Sequence, residues 1–191
     1  MERAMDVFDV IYARRAVREY TADAIDDETL RKLIDAAVQA PSAVNQQPWA
    51  FFVVRDDKLL DRISRGAKAG LLESMTTGSA VSRFGELLRD PEFNIFYNAP
   101  VLVVIAGVER SDWDVEDCAL AAANLMLAAR ARGLGTCWIG FAQAWLGTPE
   151  GKAALQMPPD YFPVAPVIVG HPTSFPPAVP RKTPEVHFVG R

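Results

Sequence analysis

The sequence of 191 residues contains few of the residues that carry metal-dependent or nucleophilic chemistry. Its two histidines, His171 and His187, fall in a proline-rich stretch, and its two cysteines, Cys118 and Cys137, lie nineteen positions apart without a CxxC partner. This spacing does not suit a zinc site, so we predict no bound metal. One disulfide is arithmetically possible, but two buried free thiols are the better expectation for a chain with its own hydrophobic core.

The common nucleotide-binding and hydrolase motifs are also missing. The chain has no GxxxxGK[ST], no GxSxG and no HExxH, and no base is visible that would activate a Ser or Cys nucleophile. The close glycines between Gly133 and Gly140 do not form GxGxxG, and they follow a predicted helix instead of a strand. A nicotinamide nucleotide would therefore not be held in a Rossmann turn.

Neither the charge nor the apolar runs suit a nucleic acid or a membrane. With 24 acidic and 20 basic residues, the formal net charge is −4, which disfavours a generally basic nucleic-acid binder. Apolar runs such as 101–108 are far shorter than the roughly 20 residues of a membrane span. The first residues lack the basic and apolar regions of a signal peptide. We therefore predict a cytoplasmic protein with neither nucleic acid nor membrane as a partner.

Periodicity predicts alternating helices and strands in one α/β or α+β domain that spans residues 1–191. Half of the residues are apolar, as in a packed globule. Asp26 and Asp27 are both candidates to cap one helix, and Asp114 and Thr148 are predicted to cap two others. The predicted helices cover residues 6–13, 26–40, 57–69, 115–132 and the stretch after 148, and the predicted strands cover residues 49–54, 101–108, 136–140 and 164–170. Residues 73–86 have no clear pattern, and we interpret them as a loop or a lid.

Two compositional features stand out in the second half of the chain. Seven of the 28 alanines lie between Ala119 and Ala131, which predicts a helix buried on all sides. One chain of this size does not readily supply that cover, whereas a second copy would. Nine of the fourteen prolines lie between Pro158 and Pro184. That stretch as a whole is predicted to be neither one helix nor a central strand, and to run extended over its own surface or a neighbour's.

Four short segments are candidates for a site, and each has an ordinary structural interpretation beside the functional one. Arg14–Tyr20 has three arginines in five residues, which suits either a solvated face or an anion site that grips different parts of one extended ligand. Ala40–Trp49 contains Asn45, Gln46 and Gln47, which suit a turn or hydrogen bonds to a polar heterocycle. Gly133–Phe141 suits a helix end or close approach to a flat ligand, and Arg181-Lys182 suits surface charge or a second cationic contact.

Together these segments resemble the nitroreductase family of FMN-dependent oxidoreductases. The similarity includes Arg14–Tyr20 and Ala40–Trp49 near the N-terminus, and Asn98-Ala99-Pro100 before the central strand. It continues through Asp117–Ala129 into Gly133–Phe141, and ends with Val167–Pro172 and Pro180-Arg181-Lys182. It covers nearly the whole chain in the expected order and is weakest over residues 57–95. The resemblance implies an α+β, three-layer fold with a mostly antiparallel central sheet flanked by helices, in an intertwined homodimer.

The resemblance also implies one FMN per subunit at the dimer interface. Arg14 would face the phosphate, Arg18 the pyrimidine side of the flavin, and Arg181 with Lys182 would close on the phosphate. Ala16 stands where many members have serine, so one hydroxyl contact worth about 1 kcal/mol is missing. Pro41, Ser42, Ala43 and Asn45 would contact FMN from the partner subunit. The full set of implied FMN-binding residues is Arg14, Arg15, Ala16, Arg18, Pro41, Ser42, Ala43, Asn45, Ile139, Gly140, Arg181 and Lys182.

The implied activity is reduction of a small electron-poor acceptor, such as a nitroaromatic or a quinone, with NAD(P)H as transient donor. Hydride would pass through flavin N5 in a ping-pong reaction, so no side chain is nominated as catalytic. The alternatives are a specialised activity of the family (enone reduction, dehalogenation or flavin fragmentation), a non-catalytic FMN store or sensor, and a nucleotide-binding module without flavin. Residues 66–97 are where elements that shape the substrate site are expected.

Overall fold

The computed structural model describes residues 5–75, 82–108 and 111–190. The helices in these ranges are α1 (Val7–Ala13), α2 (Asp27–Ala37), α3 (Asp57–Ser74), α4 (Gly85–Arg89), α5 (Asp114–Ala131), α6 (Gly140–Leu146) and α7 (Pro149–Ala154). The strands are β1 (Trp49–Val54), β2 (Val101–Gly107), β3 (Gly135–Trp138) and β4 (Phe162–Gly170). Of the segment 73–86, residues 76–81 lie outside the described ranges, and a 3-10 turn at Ser82–Phe84 leads into α4.

The four strands form one antiparallel sheet in the order β1-β2-β4-β3. Every residue of β2 is buried, because successive side chains point to opposite faces and both faces are covered. Leu102 and Val104 belong to a core shared with α3, α4 and α6. Val103 and Ile105 belong to a second core shared with α2 and α5. The predicted three-layer α+β fold, with helices on both faces of an antiparallel sheet, is confirmed.

Local capping chemistry sets several of the helix starts. Asp26 accepts a hydrogen bond from the Thr29 amide at 2.7 Å, and Thr148 accepts one from the Gly151 amide at 3.1 Å, as predicted for caps. The prediction for Asp114 is wrong by one residue, since α5 begins at Asp114 and has no side-chain cap. The Asp114 carboxylate instead accepts from the Ser111 amide, at 3.2 Å, and closes the turn before the helix.

The proline-rich stretch contains a central strand, which the sequence analysis excluded for the stretch as a whole. β4 lies between β2 and β3 and includes Pro163 and Pro166. The register with β2 shifts between Ile105 and Ala106, so the ladder is interrupted where Pro163 has no amide to donate. The Pro166 carbonyl accepts a 2.7 Å hydrogen bond from the Ile139 amide. Ile139 lies just past the end of β3, so the N–H that Pro166 lacks does not break a bond of the β3–β4 ladder.

An extended N-terminal segment, Arg14–Thr21, lies between β3 and the C-terminal tail, which is the part of the chain after β4 (residues 171–190). On one side the Val17 amide donates to the Thr136 carbonyl at 2.9 Å. On the other side the Thr21 amide donates to His171 at 2.9 Å, and the Thr173 amide donates to Glu19 at 3.2 Å. The tail therefore runs over the chain's own surface as far as these contacts reach, in agreement with the predicted extended course.

The alanine-rich helix α5 is covered on one side by the sheet and α2. Cys118, Ala121 and Leu125 are fully buried, whereas Val115 and Leu120 are exposed, Leu120 by 44%. Burial on all sides, as predicted, is therefore not reached within a single chain. Both cysteines are free and buried, as expected. Among the described residues, no helix combines the length and the apolar character needed to cross a membrane.

Candidate functional site

The position of the N-terminal arginines follows from the way their segment packs on β3. Val17 is buried against Gly135, where a Cβ would lie only 2.8 Å from the valine Cγ1, so glycine allows this close approach. In an extended segment alternate residues share a face, which leaves Arg14, Ala16 and Arg18 opposite Val17. At about 3.3 Å per residue, Arg14 and Arg18 are about 13 Å apart along the chain. They can therefore reach two ends of one extended ligand.

The first end is a cavity of about 570 Å³, here called the arginine cavity. Three arginine residues, Arg14, Arg15 and Arg181, line it. The rest of its wall is largely apolar and comes from α1, α5 and the tail, and none of the described lining residues carries a carboxylate. Across the described ranges, none of these arginines forms a salt bridge. Arginines that have no carboxylate partner in the protein are suited to bind a phosphate or a similar dianion.

The second end is a smaller cavity of about 200 Å³, here called the aromatic cavity. Arg18 lines it, and its guanidinium carbon lies 5.7 Å from the centre of the Tyr97 ring. Phe84 and Phe141 meet edge to face with ring centres 5.3 Å apart. The residues that line the cavity are Arg18, Phe84, Ile95, Tyr97, Cys137, Trp138, Ile139, Gly140 and Phe141. This arrangement of flat walls and one cation is suited to a planar heterocycle.

Cys137 of β3 is a buried residue among those that line the aromatic cavity. Burial raises its pKa, and the positive charges of Arg18 and Arg14 oppose part of that rise. Both guanidinium groups are therefore close enough to β3 to act on the same atom. Because burial dominates, the thiol stays protonated near neutral pH and is not an activated nucleophile.

The wall formed by Tyr97 is held in place from α3. The Lys68 ammonium donates to the carbonyls of Asp90 and Phe93 at 2.8 and 2.6 Å, and the Ser64 hydroxyl accepts from the Ile95 amide at 3.1 Å. Tyr97 then adopts a φ of 53°, which is uncommon for a bulky residue and persists only where the surroundings impose it. These anchors place the tyrosine ring beside Arg18.

The Pro41–Asn45 segment is anchored to the beginning of α5. The Ala43 amide donates to both oxygens of Asp117 at 3.1 Å, and Asp117 is only 4% exposed. The Ser42 hydroxyl accepts from the Gln47 amide at 2.9 Å. Val44 has a φ of 43° and is almost fully exposed, so this segment presents strained backbone to the outside of the chain.

The structure thus gathers the predicted residues into two groups within one chain and leaves others apart. Arg14, Arg15 and Arg181 share the arginine cavity, and Arg18, Ile139 and Gly140 share the aromatic cavity. Pro41–Asn45 line neither cavity, and neither does Lys182.

Sequence reasoning missed several residues of the site. Phe84 comes from the stretch 57–95 that resembled the family least, and Tyr97 follows just after it. Both lie within residues 66–97, where elements of the substrate site were expected, but their individual roles depend on tertiary contacts. The position of Asp117, directly before the alanine-rich run, was visible in the sequence. Its functional weight became clear only from its burial, because buried acidic residues are rare unless they are paired.

A model described as the nitroreductase family matches residues 11–171 of this chain. The chain belongs to the nitroreductase family. A protein of Archaeoglobus fulgidus with the provisional name NADH dehydrogenase/NAD(P)H nitroreductase is 37% identical over 135 residues, which cover 69% of this chain and 65% of that protein. The chain thus spans just under two thirds of the length of that relative. The 5,6-dimethylbenzimidazole synthase of Rhodospirillum rubrum is 32% identical over 177 residues, which cover 83% of this chain and 78% of the synthase.

The fold is shared with solved nitroreductases over its full length. The crystal structure of a nitroreductase with bound FMN from Desulfitobacterium hafniense has a TM-score of 0.83 at 25% identity, and the match covers 99% of this chain and 100% of that one. This nitroreductase-family chain is accordingly an oxidoreductase enzyme.

Proposed function

We propose that this nitroreductase-family protein binds FMN and uses NADH or NADPH to reduce nitroaromatics, quinones or similar electron-poor acceptors. The observation that carries the proposal is the pair of cavities at the two ends of Arg14–Arg18, one lined by unneutralised guanidinium groups and one by aromatic rings. A phosphate at one end of a ligand and a flat ring at its other end match this division. The FMN-bound relative from Desulfitobacterium supports the same cofactor.

The residues present fit FMN in their chemistry. Arg14 and Arg181 would hold the phosphate in the arginine cavity, with Lys182 adding charge nearby. Arg18 would face the pyrimidine edge of the ring in the aromatic cavity, and Ile139 and Gly140 would lie against the ring. Among the described atoms, a Cβ placed on Gly140 would meet nothing within 4 Å, so packing within the chain does not explain this glycine. Close approach of a flat ligand does.

When bound, FMN supplies the hydride chemistry, and the chain supplies position and electrostatic field. The fixed charge of Arg18 would stabilise negative charge at the pyrimidine edge of the ring. No carboxylate, histidine or lysine is found among the described lining residues of the aromatic cavity. The Cys137 thiol lines the cavity, and burial raises its pKa, so it keeps its proton at neutral pH. We therefore assign no side chain as an obligatory proton donor.

We further propose that the site is completed by a second copy of the chain. Asp117, which holds the Pro41–Asn45 segment, is ten residues from Leu127 of the arginine cavity, or about 15 Å along α5. One chain therefore keeps the two predicted halves of the site apart. A two-fold dimer packed along α5 would bring opposite ends of the helix together from different protomers. The apolar side chains exposed for such a contact are Val7, Phe8, Ile11, Tyr12, Val115 and Leu120.

The first test is the visible spectrum of the purified protein and the amount of FMN per chain, with added FMN where occupancy is low. Arg14→Ala and Arg18→Ala should each lower the FMN bound per chain, whereas Arg31→Ala, on the exposed side of α2, should leave it unchanged. Steady-state NADH and NADPH oxidation with a nitroaromatic and a quinone then tests the activity. FMN binding without turnover of any acceptor in a broad panel would refute the proposed reaction, and a monomeric FMN-bound protein would refute the dimer.

The similarity to 5,6-dimethylbenzimidazole synthase makes flavin fragmentation the second candidate. Acceptor reduction leaves FMN intact, whereas flavin fragmentation consumes it. Incubation of the reduced, FMN-loaded protein with oxygen, followed by chromatography, distinguishes them. Intact FMN after many turnovers supports acceptor reduction, whereas loss of FMN with formation of 5,6-dimethylbenzimidazole supports fragmentation.

A further inference from the structure

We propose that Arg15 is a positioning residue, which latches the C-terminal tail onto the N-terminal segment so that Arg181 faces Arg14 across the arginine cavity. Its effect on a bound phosphate would then pass through Arg181. The proposal rests on the proposed function for the identity of the ligand. The latch itself is described by contacts within this chain.

Two of the three nitrogens of the Arg15 guanidinium, Nε and Nη1, donate to backbone carbonyls. Its Nε donates to Pro177 at 3.2 Å, and its Nη1 donates to Tyr12 at 2.6 Å and to Arg14 at 2.8 Å. One planar fork therefore joins the last turn of α1, its own segment and the tail. The Nε and Nη1 donors of Arg15 are therefore not directed at a ligand. The guanidinium groups of Arg14 and Arg181, in contrast, make no hydrogen bond to the described residues and line the arginine cavity.

The Arg15–Pro177 bond is the last in a series of contacts that fasten the tail. Thr173 is bonded to Glu19, and the Arg130 guanidinium carbon lies 3.7 Å from the centre of the Phe175 ring. Beyond Pro177, residues 178–184 make no hydrogen bond to the rest of the described chain. The position of Arg181 therefore depends on the direction in which the tail leaves Pro177.

The sequence of the tail explains how that direction reaches Arg181. Pro176, Pro177 and Pro180 have a fixed φ, and the residue before each proline is restricted to extended conformations. Such a segment behaves as a semi-rigid spacer with about 3.1 Å per residue, so Arg181 lies about 12 Å beyond Pro177. A stiff spacer anchored at one end presents its far end in a restricted region. Without the anchor, the same stiffness would carry Arg181 away from Arg14.

A double-mutant cycle on FMN binding tests the latch. The variants are Arg15→Gln, Arg181→Gln and the double variant, with Arg31→Gln as the control, and Kd is measured for FMN and for riboflavin, which has no phosphate. We expect Arg15→Gln and Arg181→Gln each to weaken FMN binding about tenfold, and the double variant to be no weaker than Arg181→Gln. Riboflavin binding should stay within about twofold of the unmodified protein. Two results would overturn the proposal: a Kd for FMN in the double variant that is raised by the product of the two single-variant factors, or an equal rise in Kd for riboflavin and FMN.

Hydrogen exchange in the absence of ligand provides a second readout. In Arg15→Gln the tail amide of Thr173, which is hydrogen-bonded to Glu19, should exchange several-fold faster, while amides of β2 and β4 keep their rates. Unchanged exchange in the tail would overturn the latch. If the unmodified protein binds no FMN, the proposed function fails, and the exchange measurement alone then decides whether Arg15 holds the tail.

Discussion

The buried contact between Asp117 and the Ala43 amide gives a prediction that connects the stability of the chain with its site. Asp117 is the anchor of the segment that carries Pro41, Ser42 and Asn45, and both of its carboxylate oxygens are 3.1 Å from the Ala43 nitrogen. Replacement of Asp117 by alanine removes the acceptor and leaves a partly buried amide without a partner. Replacement by asparagine keeps one acceptor oxygen but removes the charge.

The size of the effect follows from the chemistry of the bond. A hydrogen bond to a charged group contributes about 1.5–3 kcal/mol, and a neutral one about 0.5–1.5 kcal/mol. For a chain of this size, 1 kcal/mol corresponds to about 2–4 °C in Tm. We therefore expect Asp117→Ala to lower Tm by about 3–12 °C and Asp117→Asn by about half as much.

Glu116→Ala is the matched control, because Glu116 is exposed in the same first turn and contributes the same favourable charge near the helix N-terminus. Thermal unfolding of the three variants is followed by circular dichroism, and FMN per chain is measured in parallel. A Tm for Asp117→Ala equal to that of Glu116→Ala would refute the reasoning about the bond. A lower Tm with normal FMN occupancy would instead show that the Pro41–Asn45 segment does not contact the flavin.

Three further predictions follow from the geometry. Arg18→Gln should lower the reduction potential of bound FMN by about 30 mV, since the loss of about 1.4 kcal/mol of charge stabilisation corresponds to 30 mV for a two-electron couple. Gly66→Ala should destabilise the chain by about 2 kcal/mol, because the added Cβ would lie 2.4 Å from the Trp145 ring. At Gly70 an added Cβ would meet nothing within 4 Å among the described atoms, so Gly70→Ala should stabilise the helix by about 0.5–1 kcal/mol. Burial raises the pKa of Cys118 to about 12, so the folded state keeps a proton that the unfolded state loses above pH 9, and stability should fall as the pH rises from 9 to 12.

Each of these predictions has a measurement and an outcome that contradicts it. Spectroelectrochemistry of FMN-loaded Arg18→Gln measures the reduction potential. A value equal to that of the unmodified protein would show that Arg18 does not act on the pyrimidine edge of the flavin. Urea unfolding compares the two glycine variants, and equal stabilities would contradict the packing of α3 on Trp145. Unfolding free energies of the unmodified protein and Cys118→Ala are compared at each pH, since other groups also titrate there. Parallel curves would show that this thiol is not the source.

The strands and most of the helix starts could be predicted because their signals are local. Trp49–Val54 was predicted to the residue, and Asp26 and Thr148 cap their helices as their side-chain chemistry requires. The central position of β4 could not be predicted, because whether a proline breaks a ladder depends on the register of the neighbouring strand. Pro163 and Pro166 are tolerated only because the β2 ladder shifts opposite one and β3 ends beside the other.

The same division applies to the candidate site. The sequence alone determined which residue types are concentrated where: three arginines within five residues, a carboxamide-rich turn, a glycine-rich turn and a stiff cationic tail. Only the tertiary structure decided which of them meet, because β3, α5 and the tail bring residues more than 160 positions apart into one cavity. The tertiary structure also gives Arg14 and Arg15 different roles, although they are adjacent and the sequence around them does not distinguish them. Their difference arises from the carbonyl of Pro177, which one of them reaches and the other does not.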